Sequence, residues 1–210
     1  MKRFLAKHPR LAKHPRRPWP ALAPHGWAGA LLVSLAWPLN WVLPGLRTHL
    51  LFFPLWLGYA LLVDALVLRR RGTSILTRSS SNFALLFAYS APVWWLFETF
   101  NLRTHNWHYL GGERFSPLAY FFLTSLSFST VMPAVFETAE LIRSAGWMRR
   151  LSDGPRLGST PPILIAMVCI GLIMLVLSMI WPGHFYPFVW GSVFFLVFLS
   201  APSLAGRLIG

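Results

Sequence analysis

Six apolar segments, each long enough to cross a lipid bilayer, dominate this chain. They lie at about 25–45, 50–68, 83–101, 116–142, 162–181 and 185–206. A helix needs about 20 residues to cross about 30 Å of hydrocarbon. Only 12% of the residues are charged, whereas soluble domains average about 25%. We therefore predict an all-α, polytopic membrane helical bundle of six transmembrane helices in residues 20–210.

The distribution of Lys and Arg predicts the orientation of these segments. Of the 19 basic residues, all but Arg47, Arg103 and Arg114 fall in the N-terminal tail, in the loops after the second and fourth segments, or after the sixth. Cytoplasmic loops carry an excess of Lys and Arg. Both termini are therefore expected in the cytoplasm and Trp107 on the outer side, in a bacterial inner membrane.

The N-terminal tail, residues 1–19, repeats the hexapeptide LAKHPR at 5–10 and 11–16. Its prolines and like charges predict a disordered basic tail. The tail either contacts anionic lipid headgroups or acts only as a topology signal. The net charge of +13 does not indicate a nucleic-acid partner, because the basic residues alternate with apolar segments.

The polar residues best suited to chemistry lie at the end of the third segment and just beyond it, in the stretch WWLFETFNLRTHNWHY at 94–109. Glu98 has aromatic neighbours and no Lys or Arg within a helical turn before it. An ionisable residue in a membrane span usually marks a function, and carboxyl groups in apolar surroundings serve as proton donors. We predict Glu98 as a catalytic acid, with His105 and His108 orienting it or a water molecule.

Aromatic and amide side chains around Glu98 are the predicted substrate-binding residues. They are Trp94, Trp95, Asn101, Asn106, Trp107 and Tyr109. Trp and Tyr are also typical of the membrane–water interface, so an interfacial role for Trp107 and Tyr109 stays open.

Three further carboxyl groups are expected near the cytoplasmic face. Asp64 lies shortly before the arginines that follow the second segment, and Glu137 and Glu140 lie at the end of the fourth. Pairing of Asp64 with Arg69, and of the two glutamates with Arg143, gives a structural interpretation. Their role is otherwise open.

Metal and nucleophilic chemistry are less well supported. His105-x-x-His108 with Glu98 or His184 could supply three zinc ligands, but the spacing alone is weak evidence. Intramembrane haem requires histidines in the middle of the spans, and no histidine lies there. No Gly-x-Ser-x-Gly motif, which marks a nucleophilic serine, occurs either. We predict no metal site and no cofactor.

The stretch from Glu98 onward resembles a known family. Glu98, Trp107 and Tyr109 are followed by PLAYFFLTSL at 117–126, and a fainter echo occurs at Trp181, Tyr186 and the Phe-Phe-Leu at 194–196. This arrangement resembles one repeat of the membrane lycopene cyclase domain, in its bacterial heterodimeric and fungal fused forms. The resemblance implies two three-helix repeats and an isoprenoid ligand. It also implies a cyclase-like isomerase or lyase reaction.

The chain departs from that family at one position. After Pro117 it has Leu118 and Ala119, where the family has the glutamate pair of a Pro-x-Glu-Glu motif. Glu98 matches the earlier acidic position of the family and is the remaining candidate acid.

Two functions therefore stay open. The first is a membrane protein that binds or transforms a long apolar isoprenoid or carotenoid-like lipid, with acid catalysis at an outer-face site. The second is a non-enzymatic scaffold or small transporter subunit, with a membrane protein as its partner.

Overall fold

Regular structure in the part of the chain that is described, residues 21–43, 45, 47–148 and 160–198, is entirely helical. In this computed structural model the helices are α1 Pro24–Val42, α2 Arg47–Arg71, α3 Ile75–Arg78, α4 Ser80–Thr104, α5 Pro117–Phe128, α6 Val131–Arg143, α7 Pro161–Ile180, α8 Pro182–Phe185 and α9 Phe188–Val193. A 3-10 turn, Gly112–Arg114, precedes α5, and a π-helical segment, Phe194–Phe198, follows α9. The predicted all-α class is confirmed. The predicted disordered tail, 1–19, lies outside the described residues.

Four stretches of the described chain are long and apolar enough to cross a membrane. They are Leu50–Arg71, Ser80–Thr104, Pro117–Arg143 and Pro161–Ile180, which match the second to fifth predicted segments. Helix α1 is 19 residues long, contains His25, Pro38 and Asn40, and is not among these four stretches. The sixth segment begins as the short helices α8 and α9, and its last part lies beyond the described residues.

Local sequence explains where several helices begin and end. Ser79 accepts a hydrogen bond from the backbone N–H of Asn82 and caps α4. Ser116 caps α5 in the same way, with Pro117 in the first helical turn. The break between α5 and α6 lies one turn before Pro133, which has no N–H to donate to the carbonyl of Ser129. A single apolar segment is thus divided into two helices.

Helices α1 and α2 pack closely through glycine. A Cβ atom added at Gly29 would lie 2.6 Å from the carbonyl oxygen of Gly58, and one at Gly58 would lie 2.9 Å from the carbonyl oxygen of Gly29. Small residues at such crossings let helix backbones approach each other in membrane proteins. This contact brings the N-terminal end of α1 against the C-terminal half of α2.

Polar contacts join α2, α4 and α6. The hydroxyl groups of Tyr59 and Thr138 are 2.8 Å apart. The buried Ser90 of α4 donates a hydrogen bond to the Phe128 carbonyl and accepts one from the Met132 backbone N–H, which bridges the break between α5 and α6. The bundle has two ends with different polar residues. We call the end that carries Glu98, near the C-terminal end of α4, the Glu98 end. The end that carries Asp64, in the C-terminal half of α2, is the Asp64 end.

Replacement of Gly29 by alanine should destabilise the protein. The added methyl group would clash with the backbone of α2, which cannot move without separating the helices, and overpacking of this kind costs about 1–3 kcal/mol. Thermal unfolding in mild detergent measures the effect.

Gly183→Ala is the matched control, because Gly183 is also helical and a Cβ there meets nothing within 4 Å. Equal unfolding temperatures for the two variants would contradict the close contact between α1 and α2.

Candidate functional site

The carboxyl group of Glu98 accepts three hydrogen bonds on one oxygen. Its Oε1 lies 3.0 Å from the indole nitrogen of Trp94, 3.0 Å from that of Trp107 and 2.6 Å from the Tyr109 hydroxyl. Trp94 is four residues before Glu98 on the same face of α4. Trp107 and Tyr109 alternate along the extended segment after the helix, so both reach back to the same oxygen. The other carboxylate oxygen, Oε2, makes no hydrogen bond to a described residue.

Asn101 holds the segment that carries Trp107. Its side-chain oxygen accepts hydrogen bonds from the backbone N–H groups of Asn106 and Trp107, and its amide nitrogen donates to the Trp107 carbonyl. The chain turns at His105, which ends α4 in the left-handed conformation with φ of 47°. Asn101 therefore acts on the backbone of this loop, which differs from the substrate contact that the sequence predicts.

An aromatic cluster surrounds the Glu98 carboxyl group. The Trp94 ring contacts those of Phe97, Trp107, Phe128 and Trp190 at centroid distances of 5.6–6.5 Å. Trp190, from α9, also stacks on Phe97 at 4.2 Å. The sequence reasoning did not include Trp190, because it lies far along the chain in the sixth segment. The available signal was that Trp190 is an aromatic residue near the start of the sixth segment, at the same end of the bundle as Glu98.

The other predicted site residues lie around this cluster rather than in it. His105, Asn106 and His108 are exposed, and neither imidazole makes a hydrogen bond to a described side chain. Trp95 donates a hydrogen bond to Ser125 and stacks on Phe121, on another face of α4. The catalytic role of His105 and His108 stays a prediction, since the contacts that orient Glu98 come from Trp94, Trp107 and Tyr109.

Tyr109 is 43% exposed, but the loss of hydration on its covered side raises its pKa above the usual value near 10, and its hydrogen bond to Glu98 raises that pKa further. A phenolate at this position would lose hydration and would face the nearby carboxyl group. Tyr109 therefore stays a hydrogen-bond donor over the whole physiological pH range.

Two cavities lie along α5 and α6 and share the residues Phe52 and Val131. The upper cavity, of about 530 Å³, lies at the Glu98 end, and its walls include Trp94, Tyr109 and Ser127. The lower cavity, of about 550 Å³, lies between α2 and α6. We call the two together the apolar groove. The walls of the lower cavity are Phe52, Trp56, Tyr59, Thr130, Val131, Ala134, Val135, Thr138, Ala139 and Ile142.

A second group of polar side chains is buried at the Asp64 end. Asp64 is fully buried and accepts hydrogen bonds from the Ser74 hydroxyl at 2.7 Å and from the Leu76 backbone N–H at 2.9 Å. His25 Nε2 lies 3.0 Å from Asp64 Oδ2, without the alignment of a hydrogen bond. The sequence-based pairing of Asp64 with Arg69 missed these contacts, because they depend on how α1 and α3 pack against α2.

Glu137 and Glu140 belong to the same buried group. Glu140 forms an ion pair with Arg78 of α3, whereas the sequence indicated Arg143 as its partner. Glu137 is fully buried, and neither of its carboxylate oxygens has a hydrogen-bond partner among the described residues. We call Asp64, Glu137 and Glu140 the buried acid cluster, which the half-buried His25 and the exposed Arg78 flank.

Metal-ligand geometry does not occur at either end. Within the described parts of the chain, no three His, Cys, Asp or Glu side chains lie close enough together to hold a metal ion. Comparisons of the chain with protein-family models, curated proteins and solved structures found no match. The resemblance to the lycopene cyclase domain therefore stays a prediction from the sequence.

The ionisation of Tyr109 should respond to the charge of Glu98. In the wild type, Tyr109 should ionise well above pH 10, the ordinary value for tyrosine. Glu98→Gln removes the carboxylate charge and should lower the pKa of Tyr109, while the larger effect of burial persists. Alkaline titration of the phenolate absorbance measures this, with Tyr109→Phe identifying the contribution of that residue.

The raised pKa of Tyr109 also makes the stability of the folded protein depend on pH. A raised pKa in the folded state gives a stabilising contribution that is present below about pH 10 and is lost as the pH rises through the folded-state value.

An unchanged titration in Glu98→Gln would contradict the hydrogen bond between Tyr109 and Glu98.

Proposed function

We propose that this protein binds one long apolar lipid, of the isoprenoid or carotenoid type, in the apolar groove between α2, α5 and α6. The observation that carries the proposal is that the two cavities adjoin each other, with Phe52 and Val131 in the walls of both. Each volume falls in the range of about 300–1,000 Å³ that is typical of ligand sites. Both cavities have mainly apolar walls.

The length of the groove fits a chain that extends through most of a bilayer. Its lining residues on α5 and α6 run from Tyr120 to Ile142. At 1.5 Å per residue this distance is roughly 30 Å, comparable to the hydrocarbon thickness of about 30 Å. A short or compact ligand would occupy only part of this length.

Aromatic walls favour a flat unsaturated chain over a saturated one. Trp41, Phe52, Trp56, Trp94 and Phe128 all contribute to the walls. Aromatic rings stack against other π systems with a preference for offset or edge contacts. A conjugated or polyunsaturated chain presents such a system along its whole length.

Glu98 acts on the binding site indirectly, through two residues of the cavity wall. Trp94 and Tyr109 line the upper cavity, and both donate hydrogen bonds to Glu98, which does not line it itself. In this arrangement Glu98 is a positioning residue for two wall residues. The geometry supports binding more directly than acid catalysis.

Acid catalysis would require a proton on one particular oxygen of Glu98. Three donors fill the acceptor positions of Oε1, so a transferable proton has to be carried by Oε2. Oε2 would protonate one double bond of the substrate, a second double bond would attack the resulting cation to close the ring, and a neighbouring carbon would return its proton to the Glu98 carboxylate, which amounts to the cyclising isomerisation that the resemblance implies. Tyr109 or Trp94 would have to move to admit the substrate.

The proposal includes six membrane crossings, with α1 and the segment after α8 completing the four apolar stretches. Both termini would lie in the cytoplasm of a bacterium, which fits the distribution of the 19 Lys and Arg residues. The Glu98 end would then face the outer side of the inner membrane. The basic tail would contact anionic headgroups on the cytoplasmic side.

Lipids extracted from the purified full-length protein test the binding function. Mass spectrometry should find one isoprenoid-type molecule per chain in the wild type. Ser127→Phe fills the upper cavity and should reduce the bound amount at least tenfold. Leu172→Phe is the matched control, because Leu172 is an exposed residue of α7 that does not line the groove.

The control should retain the lipid at the wild-type level. Recovery of bulk phospholipid alone, in equal amounts from all three proteins, would contradict the proposed function. A stoichiometric protein partner without an isoprenoid would instead favour the scaffold or transporter subunit.

A further inference from the structure

The carboxyl group of the fully buried Glu137 accepts no hydrogen bond from the described residues. Both of its oxygens are inaccessible. An isolated carboxylate in such surroundings is strongly unfavourable, and the group becomes neutral instead. Glu137 thus needs either a proton or another cation.

Asp64 lies next to Glu137 and differs from it in its surroundings. Both carboxyl groups are fully buried where α2 packs against α6, and they interact electrostatically. Asp64 already accepts hydrogen bonds from the Ser74 hydroxyl and the Leu76 backbone N–H. These donors stabilise negative charge on Asp64, and no comparable donor reaches Glu137.

Three ionisable groups near the pair come from α1, α3 and α6. His25 of α1 lies against Asp64, Arg78 of α3 binds Glu140, and Glu140 of α6 lies one turn from Glu137. Because Arg78 is paired with Glu140, it offsets the charge of that glutamate. The two carboxyl groups of Asp64 and Glu137 would therefore add two negative charges inside the protein if both were ionised.

We propose that Asp64 and Glu137 form a proton-binding site that holds one proton between α2 and α6. Glu137 carries the proton and donates it in a hydrogen bond to Asp64. Two carboxyl groups in one site share a proton because like charges at close range cannot both ionise. The bound ligand is a proton, and the site joins two helices that also form the lower cavity.

The site is independent of the proposed lipid function. It depends on buried side chains at the Asp64 end, whereas the lipid site depends on the cavities. The two share only the contact between α2 and α6, where Tyr59 bonds to Thr138 beside Glu137. A failure of lipid binding would leave the proton site intact.

Infrared spectroscopy of the full-length protein in detergent at pH 8 tests the proton site. The C=O stretching band of a protonated carboxylic acid should correspond to one group per chain in the wild type. Glu137→Gln should remove this band while the protein stays folded, since its amide can still donate a hydrogen bond to Asp64. Glu98→Gln and Glu140→Gln should each retain the band at the wild-type intensity.

Three results would overturn the proposal. The first is a wild-type spectrum without the band at pH 8. The second is loss of the band in Glu98→Gln but not in Glu137→Gln, which would locate the proton at the other end of the bundle. The third is loss of the wild-type band on addition of sodium or magnesium ions, which would identify a metal cation as the ligand.

A folding defect in Glu137→Gln would not decide the question, so Asp64→Asn provides a second measurement. This substitution changes the hydrogen-bond acceptor of the Glu137 proton from a carboxylate to an amide. The band should persist in Asp64→Asn but move to higher frequency, because the hydrogen bond from Glu137 becomes weaker. A band that is unchanged in frequency would contradict a proton shared by the two residues.

Discussion

The hydrogen bonds to Glu98 Oε1 determine the structure of one end of this bundle. They join a helix residue, Trp94, to two loop residues, Trp107 and Tyr109. They hold the loop against α4. Trp107 in this loop contacts Trp190 of α9, and Tyr109 lines the upper cavity.

The carboxyl groups at the two ends of the bundle have different hydrogen-bonding surroundings. Glu98 is surrounded by neutral donors on aromatic side chains, and it supports the wall of a cavity. Glu137 has no donor among the described residues, and its neighbour is a second carboxyl group, Asp64. In our proposals the first arrangement orients side chains around a lipid, whereas the second binds a proton.

Four of the six predicted spans could be predicted from apolar segments alone. The sequence also singles out Glu98, because an acidic residue is unusual in a membrane span, and in the structure this residue accepts three hydrogen bonds. The role of Asn101 could not be predicted, since it depends on the left-handed turn at His105. The alternation of Trp107 and Tyr109 was a usable signal for a shared contact.

The buried acid cluster was beyond sequence reasoning for a different physical reason. Asp64 and Glu137 are far apart along the chain, and their contact depends on the packing of α2 against α6. Hydropathy determines where a helix lies but not which of its faces meets a given neighbour. Nearby arginines were therefore the natural partners to expect, and the actual partners, Ser74, His25 and Arg78, come from other elements.

A structure of the full-length protein determined by electron cryomicroscopy in lipid nanodiscs tests the central claim most directly. Continuous, chain-shaped density should fill the apolar groove from Tyr120 to Ile142, with one end against Trp94 and Tyr109. Density for a helix of a second chain in the groove, or a groove in which the protein's own side chains fill both cavities, would contradict the account.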